Sequence, residues 1–225
     1  MTLPLPASTV AIINDGDNGI EVLMVRRNEN LANAAGAWAF PGGRVEDEDY
    51  LETDDHKLAA QCAAVRETIE ETGLCLTKEN LIPFAHWTTP EGPRRRYATW
   101  FFITELASPP AVRVDGNEIV DHCWLTPHQV LQRHREGMME ITAPGFITLT
   151  RLIKFSNSNE AIATFAAQDL LHYNPKLLKT NSGRIIFYEG DAGYDTCNID
   201  IKGERNRIVM TDTEWHYQTT LHDNN

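Results

Sequence analysis

Residues 66–74 read Arg66-Glu67-Thr68-Ile69-Glu70-Glu71-Thr72-Gly73-Leu74, and ahead of them stands Phe40-Pro41-Gly42-Gly43-Arg44-Val45-Glu46. On a helix turning about 100° per residue, Glu67, Glu70 and Glu71 fall within an arc of about 100°. Three like charges packed this closely repel one another, and a hard divalent cation reverses the sign of that term. Leu58, Cys62, Val65 and Ile69 gather on the opposite side, where they are expected to seat the helix on a core. The carboxylate face continues through Ala60, Ala63 and Ala64, whose small side chains are expected to leave space there. Arg66 stands four residues before Glu70, within reach of its carboxylate.

The helix is expected to run from about residue 55 to 72. Thr53, Asp54 and Asp55 suit its start, and Gly73 suits its stop. Residues 46–55 (EDEDYLETDD) hold seven acidic side chains and read as a solvated loop. Further upstream, β-branched residues 8–14, the turn Asp15-Gly16-Asp17-Asn18-Gly19 and residues 21–27 predict an antiparallel hairpin. Residues 28–36 form a loop, and Trp38-Ala39-Phe40 a strand stub that Pro41 ends. The two glycines that follow let the backbone turn tightly and approach a ligand closely.

This combination resembles the Nudix box, G-x5-E-x7-R-E-U-x-E-E-x-G-U with U aliphatic, of hydrolases that cut nucleoside diphosphates linked to another group. Gly43 matches the first glycine, Asp49 the first acidic position, and residues 66–74 the second half. Asp49 replaces a glutamate and Thr68 an aliphatic residue. Sixteen residues separate Asp49 from Arg66 where the pattern has seven, a nine-residue insertion. The resemblance implies an α/β fold, a Nudix-type α/β/α sandwich with a mixed sheet. It also implies Mg2+ or Mn2+ held by Glu67, Glu70, Glu71 and the carbonyl of Gly42, with Arg66 orienting the carboxylates. Glu70 or Glu118 would be the general base. Residues 23–43 further resemble the motif of coenzyme A diphosphatases. Arg27, Gly36, Phe40, Pro41, Gly42 and Gly43 match in place, while Asn28 and Ala32 replace its serine and second arginine. The implied substrate is therefore coenzyme A or an acyl derivative, then an ADP-sugar or a dinucleotide, with Arg27 and Phe40 against it.

Residues 81–89 and 97–105 read as strands joined by Pro90-Glu91-Gly92-Pro93. Arg94 and Arg96 share a strand face and are expected to meet a substrate phosphate or carboxylate. Residues 118–125 form another strand; helices follow over 127–135 and 142–155, with Pro144 in the first turn of the second. His122, His128 and His134 make no helical face and read as surface or packing residues. The boundary at 156–159 divides a domain of residues 1–157 from an extension, 158–225. Asn157 starts a helix there, running to about Leu171. Short β runs at 184–188, 196–201, 207–210 and 215–219 follow, expected to cover the site or form a homodimer contact.

A chain of 225 residues with 42% hydrophobic and 23% charged content can bury a proper core. Its net charge of −12 argues against binding a nucleic-acid backbone. The start lacks a secretory pattern and the chain has no long apolar run, so neither export nor a membrane is expected. Cys62, Cys75, Cys123 and Cys197 are far apart and read as reduced, mostly buried thiols of a cytoplasmic protein. Two other readings compete with the hydrolase: a Nudix-fold sensor that binds a nucleotide without cutting it, and a structural subunit contacting others through the extension. The intact Arg66, Glu67, Glu70 and Glu71 favour the enzyme.

Overall fold

The computed structural model describes residues 3–51, 53–91, 95–211 and 214–220. The predicted hairpin is present as β1 (Leu5–Gly16) and β2 (Gly19–Arg27), antiparallel from Ile13↔Val22 to Gly16↔Gly19. Beyond Ile13 towards its start, β1 leaves β2 and pairs in parallel with β5 (Tyr97–Glu105). β3 (Trp38–Ala39) and β6 (Ile119–Leu125) both join β2. β4 (Ile82–Thr88) pairs antiparallel with β5, and β7 (Leu171–Tyr173) in parallel with β4. The sheet order is β3-β2-β1-β5-β4-β7, with β6 also on β2. Where β1 and β2 part, residues 41–43 take up the freed edge of β1: Val10 N donates to Pro41 O and Ser8 N to Gly43 O, each at 2.9 Å. That seam is where the glycine turn meets the box helix.

Both faces of the mixed sheet are covered, so its central strands bury nearly every side chain. Val10, Ile12, Leu23, Val25 and Phe102 face α1 (His56–Thr72). Ala11, Ile13, Met24, Phe101 and Ile103 face α2 (Pro127–Arg135), α3 (Ala143–Leu152) and α4 (Ser158–Ala167). This is the predicted α/β/α sandwich. The Asp55 carboxylate caps α1, accepting from Lys57 N (2.8 Å) and Leu58 N (3.1 Å), and Gly73 ends it at φ 71°.

The seating of α1 is the reverse of the sequence expectation. Ala59, Ala60, Ala63, Ala64, Thr68 and Thr72 are buried on the sheet, while Leu58 and Ile69 remain 39% and 43% exposed. Alanines let the helix axis come close to the strands, and larger residues would hold it off. The threonine hydroxyls are satisfied inside the helix: Thr68 donates to Ala64 O (2.7 Å) and Thr72 to Thr68 O (2.6 Å). Thr68, the departure from an aliphatic residue, is thus a core side chain.

The segment after Asn157 adds α4 and β7 to the first sheet's layers and then builds an antiparallel sheet, β11-β10-β9-β8. Its strands are β8 (Lys176–Thr180), β9 (Gly183–Phe187), β10 (Asn206–Thr211) and β11 (Trp215–Thr219). Asn157 caps α4 as predicted, accepting from Glu160 N, but the helix ends at Ala167 and Leu171 begins a strand. α3 likewise ends at Leu152, short of Phe155. Residues 196–201 form turns, not a strand, because Cys197 sits at φ 50° and Asn198 N folds back to Gly193 O. β7 and β8 lie on either side of Asn174-Pro175 and carried too few apolar residues to announce themselves. A buried ion pair ties this sheet to the loop before β10: Arg207 donates to both Asp191 oxygens at 2.7 and 2.5 Å. The four cysteines are unpaired as expected, though Cys75 is exposed and the others only half-buried.

Candidate active site

Gly42 and Gly43 are required where they stand, for different reasons. Gly42 has φ 148°, and a Cβ there would lie 2.3 Å from Ser8 O, a backbone atom. A Cβ on Gly43 would lie 2.3 Å from the Glu67 carboxylate. The turn therefore lets the box helix bring its carboxylates against bare backbone. Gly42 N donates to Glu71 Oε2 at 2.9 Å.

Arg66 organises the face beside it. Its guanidinium forks onto Asp49 (Nε–Oδ1 3.2 Å, Nη2–Oδ2 2.9 Å) and also reaches Glu67 (3.0 Å) and Glu70 (3.5 Å) through Nη1. Nη2 further donates to Arg44 O at 3.0 Å. The Asp49 side chain is 4% exposed and accepts from Glu46 N, which closes a short 3-10 turn over residues 47–50. The acidic segment of residues 46–55 therefore begins as structure anchored to the helix, not as free solvated chain. Paired with Asp49 and Glu67, Arg66 holds its proton more firmly than usual.

Glu67, Glu70 and Glu118 line one cleft of about 480 Å³ with Gly42, Gly43, Arg27 and Phe40. Glu71 is 4% exposed behind Gly42. Burial pushes its acid up to about 8; the Gly42 amide opposes this, while Glu67 and Glu118 add to it. Burial also raises Glu67, against Arg66, with Glu70 and Glu118 adding to the rise. Glu118 is presented by a hydrogen-bonded loop: the Asp115 carboxylate accepts from the backbone N–H groups of Asn117, Glu118 and Ile119 at 3.0, 2.8 and 2.8 Å.

The structure brings Glu67, Glu70, Glu118, Gly42, Arg27 and Phe40 to one cleft, and places other predicted residues elsewhere. Ala60, Ala63 and Ala64 do not line the cleft but pack on the sheet. Arg96 donates to Thr89 O at 3.0 Å and lies in a separate cleft with Asn174, Lys176 and Tyr194. Arg94 lies outside the described residues. Phe40 is 5% exposed, so it forms cleft floor and core together. Among the described residues, the cleft lining includes none from beyond Gly145, so the C-terminal sheet does not cover the site as one expectation had it. Sequence reasoning missed Arg44, Asn33 and Tyr97. Asn33 Nδ2 donates to the Tyr97 hydroxyl at 3.0 Å, and Arg27 Nε reaches Asn33 O at 3.4 Å. Tyr97 shared its strand face with Thr99 and Phe101, a signal that alternation carries; Asn33 lay in a loop without one.

Among the described residues, no three acidic, histidine or cysteine side chains already converge as a ligand cluster. Glu67 turns to Arg66 and Glu71 to the Gly42 amide. The donor set nevertheless fits a hard divalent cation: it is all oxygen, and burial raises the acids of Glu67 and Glu71, with neighbouring carboxylates adding to the rise.

A model of the NUDIX domain matches residues 4–143. Acyl-coenzyme A diphosphatase NUDT19 of Xenopus laevis is 22% identical over 287 aligned residues, spanning 85% of this chain and 75% of that protein. The human protein of the same name is 29% identical over 157 residues, 68% of this chain and 40% of its own length. Among solved structures, a NUDIX hydrolase from Alicyclobacillus acidocaldarius superposes with a TM-score of 0.67 at 24% identity, over 75% of this chain and 100% of that one. The NUDIX domain of Shewanella oneidensis NrtR, solved with ADP ribose, gives 0.53 at 17% identity, over 68% and 89%. At these identities the two structures attest the fold alone. Among the described residues, no helix is long and apolar enough to cross a membrane.

Proposed function

The chain belongs to the Nudix family of pyrophosphohydrolases, and from that premise we propose that it cleaves the P–O–P linkage of coenzyme A or an acyl-coenzyme A. The observation that carries this is the single cleft lined by Glu67, Glu70 and Glu118 together with Arg27, Arg44 and the Gly42-Gly43 turn. A pyrophosphate resists attack because its anionic oxygens repel a nucleophile. A bound Mg2+ or Mn2+ neutralises that charge and acidifies a water when it is present. Glu67, Glu70, Glu71 and the Gly42 carbonyl would hold it. Arg66 positions Glu67 and Glu70 and leaves the reacting atoms alone. Arg27 and Arg44 supply cationic contacts for the substrate's phosphates. Glu118 accepts the proton of the attacking water: it stands in the cleft on a loop fixed by Asp115, and makes no ion pair among the described residues. Glu70 is the second candidate, although Arg66 lies 3.5 Å away.

The choice of coenzyme A is supported by the names of the curated relatives and by the matching positions of residues 23–43. ADP-sugars and dinucleotides rank next. The four free thiols support a cytoplasmic site of action. A screen of the purified chain with Mg2+ or Mn2+ against coenzyme A, ADP-ribose, NADH and diadenosine polyphosphates tests the proposal. Coenzyme A is expected to split at its pyrophosphate; folded protein that turns over none of these with either metal would refute the enzyme reading.

A further inference from the structure

Asn28 holds the carbonyls of the two residues whose N–H groups Asp115 holds, and we propose that it is the positioning residue that aims Glu118 into the cleft. The proposal rests on the reading of Glu118 as the group that accepts the proton of the attacking water. Asn28 follows directly on β2 and is half-buried. Its backbone N donates to Glu118 O and its side-chain Nδ2 to Asn117 O, each at 2.8 Å. Asp115 accepts from the N–H groups of Asn117 and Glu118. All four backbone polar groups of this pair are therefore engaged, two by each partner.

The two partners do different work. Asp115 lies within three residues of Glu118 and sets only the shape of the turn. Asn28 is 89 residues from Asn117 in the chain, so its bonds set where the turn sits against β2, whose last residue, Arg27, lines the cleft. The ladder alone does not supply that aim. β6 begins at Ile119, and its register against β2 shifts where Arg26 pairs with Asp121 and Arg27 with Ile119. A bulge of this kind re-aims the chain beside it, so the direction of Glu118 depends on ties beyond the paired strands.

The chemistry calls for an amide. Asn117 O can only accept and Asn30 N can only donate, which orients the side chain with Nδ2 on the first and Oδ1, at 3.0 Å, on the second. Aspartate would keep the acceptor and lose the donor; alanine would lose both. Asn28 itself does not line the cleft, so its effect on turnover runs through what it holds.

The test uses the full chain with Mg2+ and the best substrate of the screen, and measures kcat and KM for Asn28→Asp, Asn28→Ala, Glu118→Gln and the two double variants. Glu118→Gln is expected to lower kcat by at least about a hundredfold, the loss of a general base. Each Asn28 variant is expected to lower kcat by about tenfold or more, the scale of a misplaced reacting group, with KM little changed. In the Glu118→Gln background the same substitutions should alter kcat by less than about twofold, because two residues acting through one group are not additive. Thermal melts identify a variant that fails to fold, and the other then decides; loss of the fold in both overturns a role confined to positioning. Parent kcat in a folded Asn28 variant, an equal loss in both backgrounds, or a change in KM alone overturns the proposal and leaves the Glu118 reading intact. Parent kcat in Glu118→Gln overturns the base reading, and the role of Asn28 with it.

Discussion

Replacing Glu71 by glutamine should make the ion-free protein more stable at neutral and alkaline pH while abolishing turnover. The Glu71→Gln side chain keeps an oxygen for the Gly42 amide, which Glu71 now accepts at 2.9 Å, and removes a charge that sits 4% exposed. Burial moves the Glu71 acid from 4.5 to about 8, and each step of one in pKa corresponds to about 1.4 kcal/mol. The full effect is then about 5 kcal/mol, of which roughly 3 kcal/mol is felt at pH 7. The sign follows from linkage. A raised acid binds its proton more tightly in the folded state, so its contribution is whole below about pH 4.5 and is lost as pH rises towards 8. Glu67, also raised, acts in the same direction, whereas Asp55, Asp115 and Asp191 are lowered and act oppositely. Subtracting variant from parent isolates Glu71. Chemical denaturation in chelator from about pH 4.5 to 8.5 should show the two proteins converging in acid and Glu71→Gln gaining steadily above it. In the parent, added Mg2+ or Mn2+ should recover stability by mass action, and in the variant far less. A variant less stable than the parent at about pH 8, or a difference independent of pH, would refute the assignment of a buried, strained carboxylate.

The two glycines should respond differently. Gly42→Ala meets the Ser8 carbonyl and a positive φ and should cost about 2 kcal/mol or more in unfolding experiments. Gly43→Ala presses on the flexible Glu67 carboxylate, so kcat should fall by at least about tenfold with the melting temperature little changed. Ala63→Leu, at a position wholly buried between α1 and the sheet, should destabilise by about 1–3 kcal/mol in the same denaturation assay. Asp191→Ala leaves the buried Arg207 guanidinium without its carboxylate and should cost about 3–5 kcal/mol, read in urea melts, with little change in KM because neither residue lines the cleft.

The fold was legible where turn chemistry and caps are local. Asp17-Asn18 between Gly16 and Gly19, the Asp55 cap, the Gly73 stop and the Asn157 cap all appear as the residues dictate. The seating of α1 was not, because burial follows the distance at which a helix can approach a sheet, and alanine wins there although leucine is more hydrophobic. The carboxylate spacing announced the cleft. What escaped depended on contacts distant in sequence, such as Asn33 with Tyr97, 64 residues apart. Arg96 shows the limit of face counting: the strand placed it near a cleft, but not the one with the carboxylates.

The most direct test of the account is the rate of pyrophosphate cleavage, with the best substrate of the screen, by Glu67→Gln and Glu70→Gln measured across a Mg2+ titration. Both variants should fold, lose at least about a hundredfold in kcat, and require more Mg2+ for the activity that remains. Full turnover in either variant, or a parent equally active in chelator, would contradict the claim that these carboxylates serve a metal-assisted hydrolysis.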